Sequence, residues 1–324
     1  MYLRGQPPEP TLTASGRCTR RTRPHRAASA WLACWTALPP PSQTGGPQTQ
    51  PAHAPPATQP AARAPESDLW RWQPAALTEP LVTDRPDFTE STDAVPRGHV
   101  QLEGGYTFAY ERAHKDRRRS HTAPEALLRV GLFDSFELRL GWEGYAWSES
   151  QFETQTRGGR RVLREEWRQG ATDVSVGFKY KLLEQDGLRP HFGLIGAFAP
   201  PSGSAGISSG DVDPEAKLLW AYDLGDRVGI AGNVNFGVPH DAGDRFFQTS
   251  ASLSLGVGLT DRLGGYVEYF GFYPHAEQAD CAHWLNGGLT LLLTDNLQLD
   301  WRVGAGLNEE ADDFFAGVGF AWRW

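Results

Sequence analysis

From residue 98 to its C-terminus the chain alternates apolar and polar side chains, and a period of two permits little besides β-strands with two unlike faces. Val100, Leu102, Gly104, Tyr106, Phe108 and Tyr110 interleave with Gln101, Glu103, Gly105, Thr107, Ala109 and Glu111. The pattern returns at Phe136 to Trp142, Val174 to Tyr180, Val228 to Phe236, Phe247 to Val257, Leu297 to Val303 and Phe314 to Trp324. Less regular segments near 123–131, 190–199, 215–223, 263–273 and 283–293 complete a count of twelve strands.

Charge placement tests the phase chosen for each strand. With the apolar face outward, Glu103, Arg129, Glu137, Arg139, Glu143, Asp173, Lys179, Lys181, Glu215, Lys217, Glu268, Asp300, Arg302 and Arg323 all fall on the opposite face, and only His283 breaks the apolar side. A charge facing lipid costs about 2 to 4 kcal/mol at the bilayer midplane, so a membrane barrel requires this segregation. Short Asp-, Asn- and Gly-bearing turns at 133–135, 184–187, 225–226, 260–262 and 294–296 alternate with long polar connections at 112–122, 148–170, 200–213, 239–246, 274–282 and 308–313. Short periplasmic turns opposite long outer loops are the habit of outer-membrane barrels.

With that orientation Tyr180, Trp220, Tyr222, Trp322 and Trp324 fall at the periplasmic ends, and Phe108, Tyr110, Phe198, Phe236, Phe247, Tyr273 and Phe314 at the outer ends. Two aromatic girdles result. A soluble β-sandwich or lipocalin-like barrel is the competing reading, but its strands are shorter than the roughly 9 to 12 residues here, a length that crosses a tilted bilayer. The reading is an all-β, transmembrane, antiparallel up-and-down barrel of about 12 strands over residues 98–324. Its expected place is the bacterial outer membrane.

The N-terminal part is a different object. Thirteen of the 24 prolines lie between Pro7 and Pro65, and residues 1–66 carry seven Arg against Glu9 and Glu66. Arg17, Arg20, Arg21, Arg23 and Arg26 precede the apolar run Ala27 to Leu38, the order of an export signal, which assigns residues 1–40 to export. Residues 41–80, rich in Pro, Gln, Ala and Thr, bury too little surface to offset the entropy of ordering and read as a disordered linker. No run of 18 apolar residues occurs, which excludes a helical membrane protein. Three cysteines, with Cys18 and Cys34 in the export segment, provide no disulfide framework.

Walker, HExxH, GxSxG and paired CxxC patterns are absent, so no enzyme, cofactor or metal centre is expected. His275, Glu277, Asp280, Cys281 and His283 gather in one outer connection, and a barrel enzyme or metal site there is the minor reading beside plain solvated loop residues. The acidic run Glu309, Glu310, Asp312, Asp313 would either bridge divalent ions to lipopolysaccharide or simply be solvated. The net charge of −8, with a basic N-terminus, makes the barrel acidic and disfavours nucleic acid.

Ahead of the first strand stands Thr83-Asp84-Arg85-Pro86-Asp87-Phe88-Thr89-Glu90-Ser91, followed by Gly98-His99-Val100-Gln101-Leu102-Glu103-Gly104-Gly105-Tyr106. Together with Gln298-Leu299-Asp300, Gly304-Ala305-Gly306-Leu307-Asn308 and Phe315-Ala316-Gly317-Val318-Gly319, these stretches resemble the outer-membrane family named for the MetA pathway of phenol degradation, over about residues 81–324. The resemblance implies a transporter-like role with hydrophobic or aromatic compounds. Trp324, after apolar residues at every second position, looks like the signal read by barrel assembly machinery.

Residues 81–97 are expected to enter the periplasmic mouth as a plug, Arg85 meeting lumen carboxylates and Asp84, Asp87 or Glu90 meeting Arg139 or Arg302. A solvated periplasmic collar is the alternative. Glu103, Glu137, Arg139, Glu143, Asp173, Lys179, Glu268, Asp300 and Arg302 are the lumen candidates, and Asp84, Arg85, Pro86, Asp87, Phe88 and Glu90 those of the preceding motif. The expected function is passive passage of a small-molecule solute through a narrow charged lumen; the alternatives are a non-conducting structural or surface-binding barrel and, less favoured, a barrel enzyme. Lipid, lipopolysaccharide and the assembly machinery are the expected partners.

Overall fold

The computed structural model describes residues 73–324 except 114–115, 156–159, 242–243 and 277–278. The export segment and most of the linker lie outside the described residues. Strands β1 (Val100–Ala113), β2 (Asp116–Phe133), β3 (Phe136–Trp142), β4 (Tyr145–Gln155), β5 (Arg161–Ala171) and β6 (Val174–Leu183) come first. Then follow β7 (His191–Ala199), β8 (Asp213–Asp223), β9 (Val228–Gly237), the small pair β10 (His240–Asp241) and β11 (Asp244–Arg245), and β12 (Gln248–Gly258). The set ends with β13 (Leu263–Pro274), β14 (Ala282–Thr294), β15 (Leu297–Gly306) and β16 (Phe314–Arg323).

All but β10 and β11 belong to one antiparallel sheet, and β1 pairs with both β2 and β16, so the sheet closes on itself. Inner-half β3 and outer-half β4 follow one another along β2, and β6 and β5 follow in the same way along β3 and β4. Counted around the wall, the barrel has twelve strands. The ring closed through β1, β2, β3, β6 and the strands after it has no unpaired edge, and β5, with β4 as its one ladder partner among the described residues, stands above β6; in hydrocarbon an exposed backbone N–H or C=O would cost several kcal/mol.

The two faces separate as the alternation requires. On β3, Leu138 and Leu140 are 45% and 47% exposed to the outside, while Glu137 and Arg139 between them are 0% and 8% exposed. Tyr180, Trp322 and Trp324 at one rim and Phe198, Phe236, Phe247 and Phe314 at the other are likewise exposed outward. His283 stays on this outer face, its Nδ1 2.8 Å from the Tyr269 hydroxyl within the outer aromatic belt.

Two expected connections prove to be strand. β1 continues to Ala113 and β2 starts at Asp116, while β4 and β5 occupy most of 148–170. These stretches continue the wall past the outer aromatic belt, where hydrocarbon no longer demands one apolar face, so Arg117-Arg118-Arg119 and Ser148-Glu149-Ser150-Gln151 show no apolar alternation to betray them.

Candidate functional site

The segment before β1 runs along the short-turn rim and then into the lumen. At the rim, Arg323 donates to the Glu79 carbonyl at 2.7 Å and the Leu81 N–H donates to the Asp295 carbonyl at 2.8 Å. Beyond Leu81 the backbone is extended and turning, with no ladder partner, so its polar groups must be satisfied by wall side chains.

Those side chains are the inward charges. Glu103 on β1 accepts the N–H groups of Asp84 and Arg85, each at 3.1 Å. Glu137 on β3 accepts from the Val95 N–H at 2.7 Å. Glu268 on β13 accepts the N–H groups of Phe88 and Thr89 at 2.8 and 2.6 Å, the Thr89 hydroxyl at 2.7 Å and the Asn286 amide at 2.7 Å. Three wall carboxylates therefore hold five backbone donors of the segment, which neutral acceptors would hold less tightly.

A compact ionic cluster fixes the middle. Lys179 reaches Asp84 at 2.6 Å, Arg139 reaches it at 2.5 Å, and Arg129 lies 3.5 Å away. Arg129 also pairs with Glu103 at 2.9 Å and Glu137 at 2.8 Å, and Arg139 with Glu137 at 2.9 Å. The three acids Asp84, Glu103 and Glu137 thus balance the three bases Arg129, Arg139 and Lys179, and none of the six is more than 8% exposed. Buried charges on this scale are tolerable only when so matched; loss of one partner typically costs about 3 to 5 kcal/mol.

Arg85 crosses to the other wall. Its guanidinium pairs with Glu125 at 2.6 Å and Asp300 at 3.4 Å. Gly105 on β1 faces Gly319 on β16, and a Cβ at either would collide with that guanidinium, so both positions must lack a side chain. Glu90 pairs with Arg139 at 3.2 Å and Lys217 at 3.3 Å, and Asp93 pairs with Lys181 at 2.7 Å. Phe88 stacks on Phe270 with ring centroids 4.8 Å apart, joining an inward aromatic group of Phe270, Phe272, Trp284 and Phe315.

Electrostatics differ along the segment. Burial alone would raise the Asp84 carboxyl, but Arg129, Lys179 and Arg139 hold it well below the ordinary carboxylate range. Asp87 has no such partner: burial and then the neighbouring Glu268 push its carboxyl well above that range, with Ser254 as its hydroxyl donor at 3.1 Å. Burial opposes the charge on Arg85, yet Asp300 and Glu125 more than restore it.

Glu103, Glu137, Arg139, Lys179, Glu268, Asp300 and Arg302 therefore all touch the segment. Arg302 meets the Pro86 carbonyl at 3.0 Å and not an acid of the motif, and Asp87 pairs with neither expected arginine. Glu143 faces an outer cavity. Asp173 anchors the β7–β8 connection instead, accepting the N–H groups of Ser202 and Gly203, each at 2.7 Å, and that of Ser209 at 3.0 Å.

Sequence reading missed Glu125, Asn286, Ser254 and the inward aromatic group as site residues. Glu125 shares the parity of Arg129 and could have been found. The aromatic group could not, because Tyr269-Phe270-Gly271-Phe272-Tyr273 is apolar on both faces.

Two cavities flank the segment. One of about 760 Å³ opens on the long-connection side and is lined by Leu127, Glu143, Ile195, Ile207, Glu215 and Lys217, among others. One of about 380 Å³ lies toward the short turns, against Tyr222, Ile230, Ser254 and Tyr266. Arg85, Pro86, Asp87 and Glu90 line both. Among the described residues no group of three or more His, Cys, Asp or Glu could hold a metal ion. His275 instead contacts the Thr249 hydroxyl at 3.2 Å, and Glu277 is outside the described residues.

A closed antiparallel barrel with charges inside and an apolar, aromatic-rimmed outside defines the class: an outer-membrane β-barrel. An outer membrane channel from Pseudomonas putida F1 has the same fold, with TM-score 0.52 and 13% identity, covering 74% of this chain and 100% of that one. The NanC porin is similar at TM-score 0.41 and 8% identity, covering 69% and 98%, and the KdgM porin at TM-score 0.39 and 11% identity, covering 68% and 98%. The chain belongs to the family named for the MetA pathway of phenol degradation, whose model matches residues 83–324. No curated protein matches it.

Proposed function

We propose that the protein is a passive outer-membrane channel for small solutes, including hydrophobic or aromatic ones, whose lumen residues 81–97 close as a plug. The observation that carries this reading is that Arg85, Pro86, Asp87 and Glu90 line both cavities: a solute crossing from the outer chamber to the inner one must displace them. Charges of both signs around the outer chamber suit polar solutes, while Leu127, Ile195 and Ile207 provide apolar surface there. The family name supports an aromatic substrate class. Assembly into the membrane would use the C-terminal strand ending at Trp324, with Phe320 and Trp322 at alternate positions.

Liposome swelling and single-channel conductance test it. Deleting residues 83–91 should raise both, with wild-type protein passing small solutes slowly. Unchanged conductance after deletion would overturn the plug, and absence of swelling in both proteins would favour a structural barrel, a reading that the tight neutral ionic cluster also accommodates.

A further inference from the structure

Beyond the outer aromatic belt, β1, β2, β4 and β5 continue the wall past the lipid in matched rows. Phe108, His121, Trp147 and Gln169 form one row; Tyr110, Arg119, Glu149 and Trp167 the next; Arg112, Arg117, Gln151 and Glu165 the one above. These rows share the outward side of the wall, continuous with the side that faces lipid below. Thr107, between Tyr106 and Phe108, points inward and accepts from Arg302 at 2.7 Å, and Ala109 opposes the buried Phe315.

The lowest row is aromatic: the His121 ring stacks on Trp147 at 5.0 Å and lies 5.1 Å from Phe108. Directly above it Arg112, Arg117 and Arg119 are all exposed. Of these three side chains only Arg119 has a carboxylate within ion-pair range among the described residues, Glu149 at 3.9 Å. The Gln151 amide holds Glu149 and Glu165 at 3.2 and 3.1 Å, which draws those two acids together beside the arginines. Trp167 is 66% exposed on the same side.

An apolar and aromatic strip at lipid level, surmounted by guanidinium groups, matches an amphiphile with acyl chains and an anionic head. Guanidinium is the side chain best shaped for phosphate, which it binds through paired N–H donors. The long-connection rim of an outer-membrane barrel meets the outer leaflet. We infer that this face binds a phosphorylated glycolipid of that leaflet, with Arg112, Arg117 and Arg119 on its phosphates, Phe108 and Trp147 along its acyl chains and Trp167 against its sugar. Arg118 supplies an internal control: it sits on the same strand but on the other face, opposite Glu111.

The test uses full-length protein immobilised in detergent, with retention of bis-phosphorylated lipid A compared with that of phosphate-free lipid A, and with inorganic phosphate as competitor. Arg117→Gln combined with Arg119→Gln should weaken lipid A binding about ten-fold, Arg118→Gln should leave it unchanged, and phosphate-free lipid should bind wild type as weakly as the double variant binds lipid A. Equal retention of the two lipids, an equal loss with Arg118→Gln, or displacement by millimolar inorganic phosphate alone would overturn the inference. Should the double variant fail to form a heat-resistant barrel, the comparison of the two lipids on wild type decides.

Discussion

Lys179 on the barrel wall donates to both carboxylate oxygens of Asp84, at 2.6 and 2.8 Å, although 95 residues separate them in the chain. This contact joins the one acid that the segment contributes to the central cluster to a wall lysine with no measurable exposure. Asp84→Ala would leave Lys179, Arg139 and Arg129 with a surplus charge in a closed space, a loss of about 3 to 5 kcal/mol in docking. Single-channel recording should show frequent open events in that variant. Pairing Asp84→Asn with Lys179→Met removes one charge of each sign and should restore closure; equal opening in single and double variants would show that charge balance is not what holds the segment.

Gly319 and Gly105 leave the room that the Arg85 guanidinium fills. Gly319→Ala should therefore displace Arg85 from Glu125 and Asp300 and increase solute leak several-fold in liposome swelling. Gly256→Ala is the control, because a Cβ there meets only the Gly229 carbonyl at 4.0 Å. Equal leak in the two variants would contradict the assignment.

Asp87 and Asp84 give docking opposite pH responses. The Asp87 carboxyl is raised from the ordinary 3.8, chiefly by burial and then by Glu268, so its contribution is complete below that value and is lost as pH rises through the docked-state value. The Asp84 carboxyl is lowered by its three bases despite burial, so its contribution is present above 3.8 and lost as pH falls through the docked-state value. Conductance should then increase as pH rises above 3.8 in wild type and not in Asp87→Asn, which cannot ionise. A wild-type conductance that nowhere above pH 3.8 exceeds that of Asp87→Asn would refute the Asp87 reading.

Leu140 is exposed to lipid between inward Arg139 and Gly141. Leu140→Arg should lower unfolding stability in lipid vesicles by up to about 2 to 4 kcal/mol, depending on its depth. A change near zero in a guanidinium titration would place β3 outside hydrocarbon.

Much of the barrel was legible in the sequence because hydrocarbon demands one apolar face, and Leu138 and Leu140 against Glu137 and Arg139 state that demand openly. β4 and β5 were not legible, since outside the membrane neither of their faces is constrained. Within the site, the charges on the wall could be read from parity, but their pairing could not. Asp84 chose Lys179 and two arginines because they share one depth and one side of the lumen, whereas Arg302 was captured by the Pro86 carbonyl. Such choices depend on the path of an extended segment that carries no periodic signal.

The most direct test fixes the segment to the wall. The Thr89 and Ser252 hydroxyl oxygens are 2.7 Å apart, so Thr89→Cys with Ser252→Cys, in protein whose three native cysteines are replaced by serine, would carry a cross-link between segment and β12. Single-channel conductance should fall to its closed level on oxidation and recover on reduction. Identical conductance in the cross-linked and reduced protein would contradict a channel closed by residues 81–97.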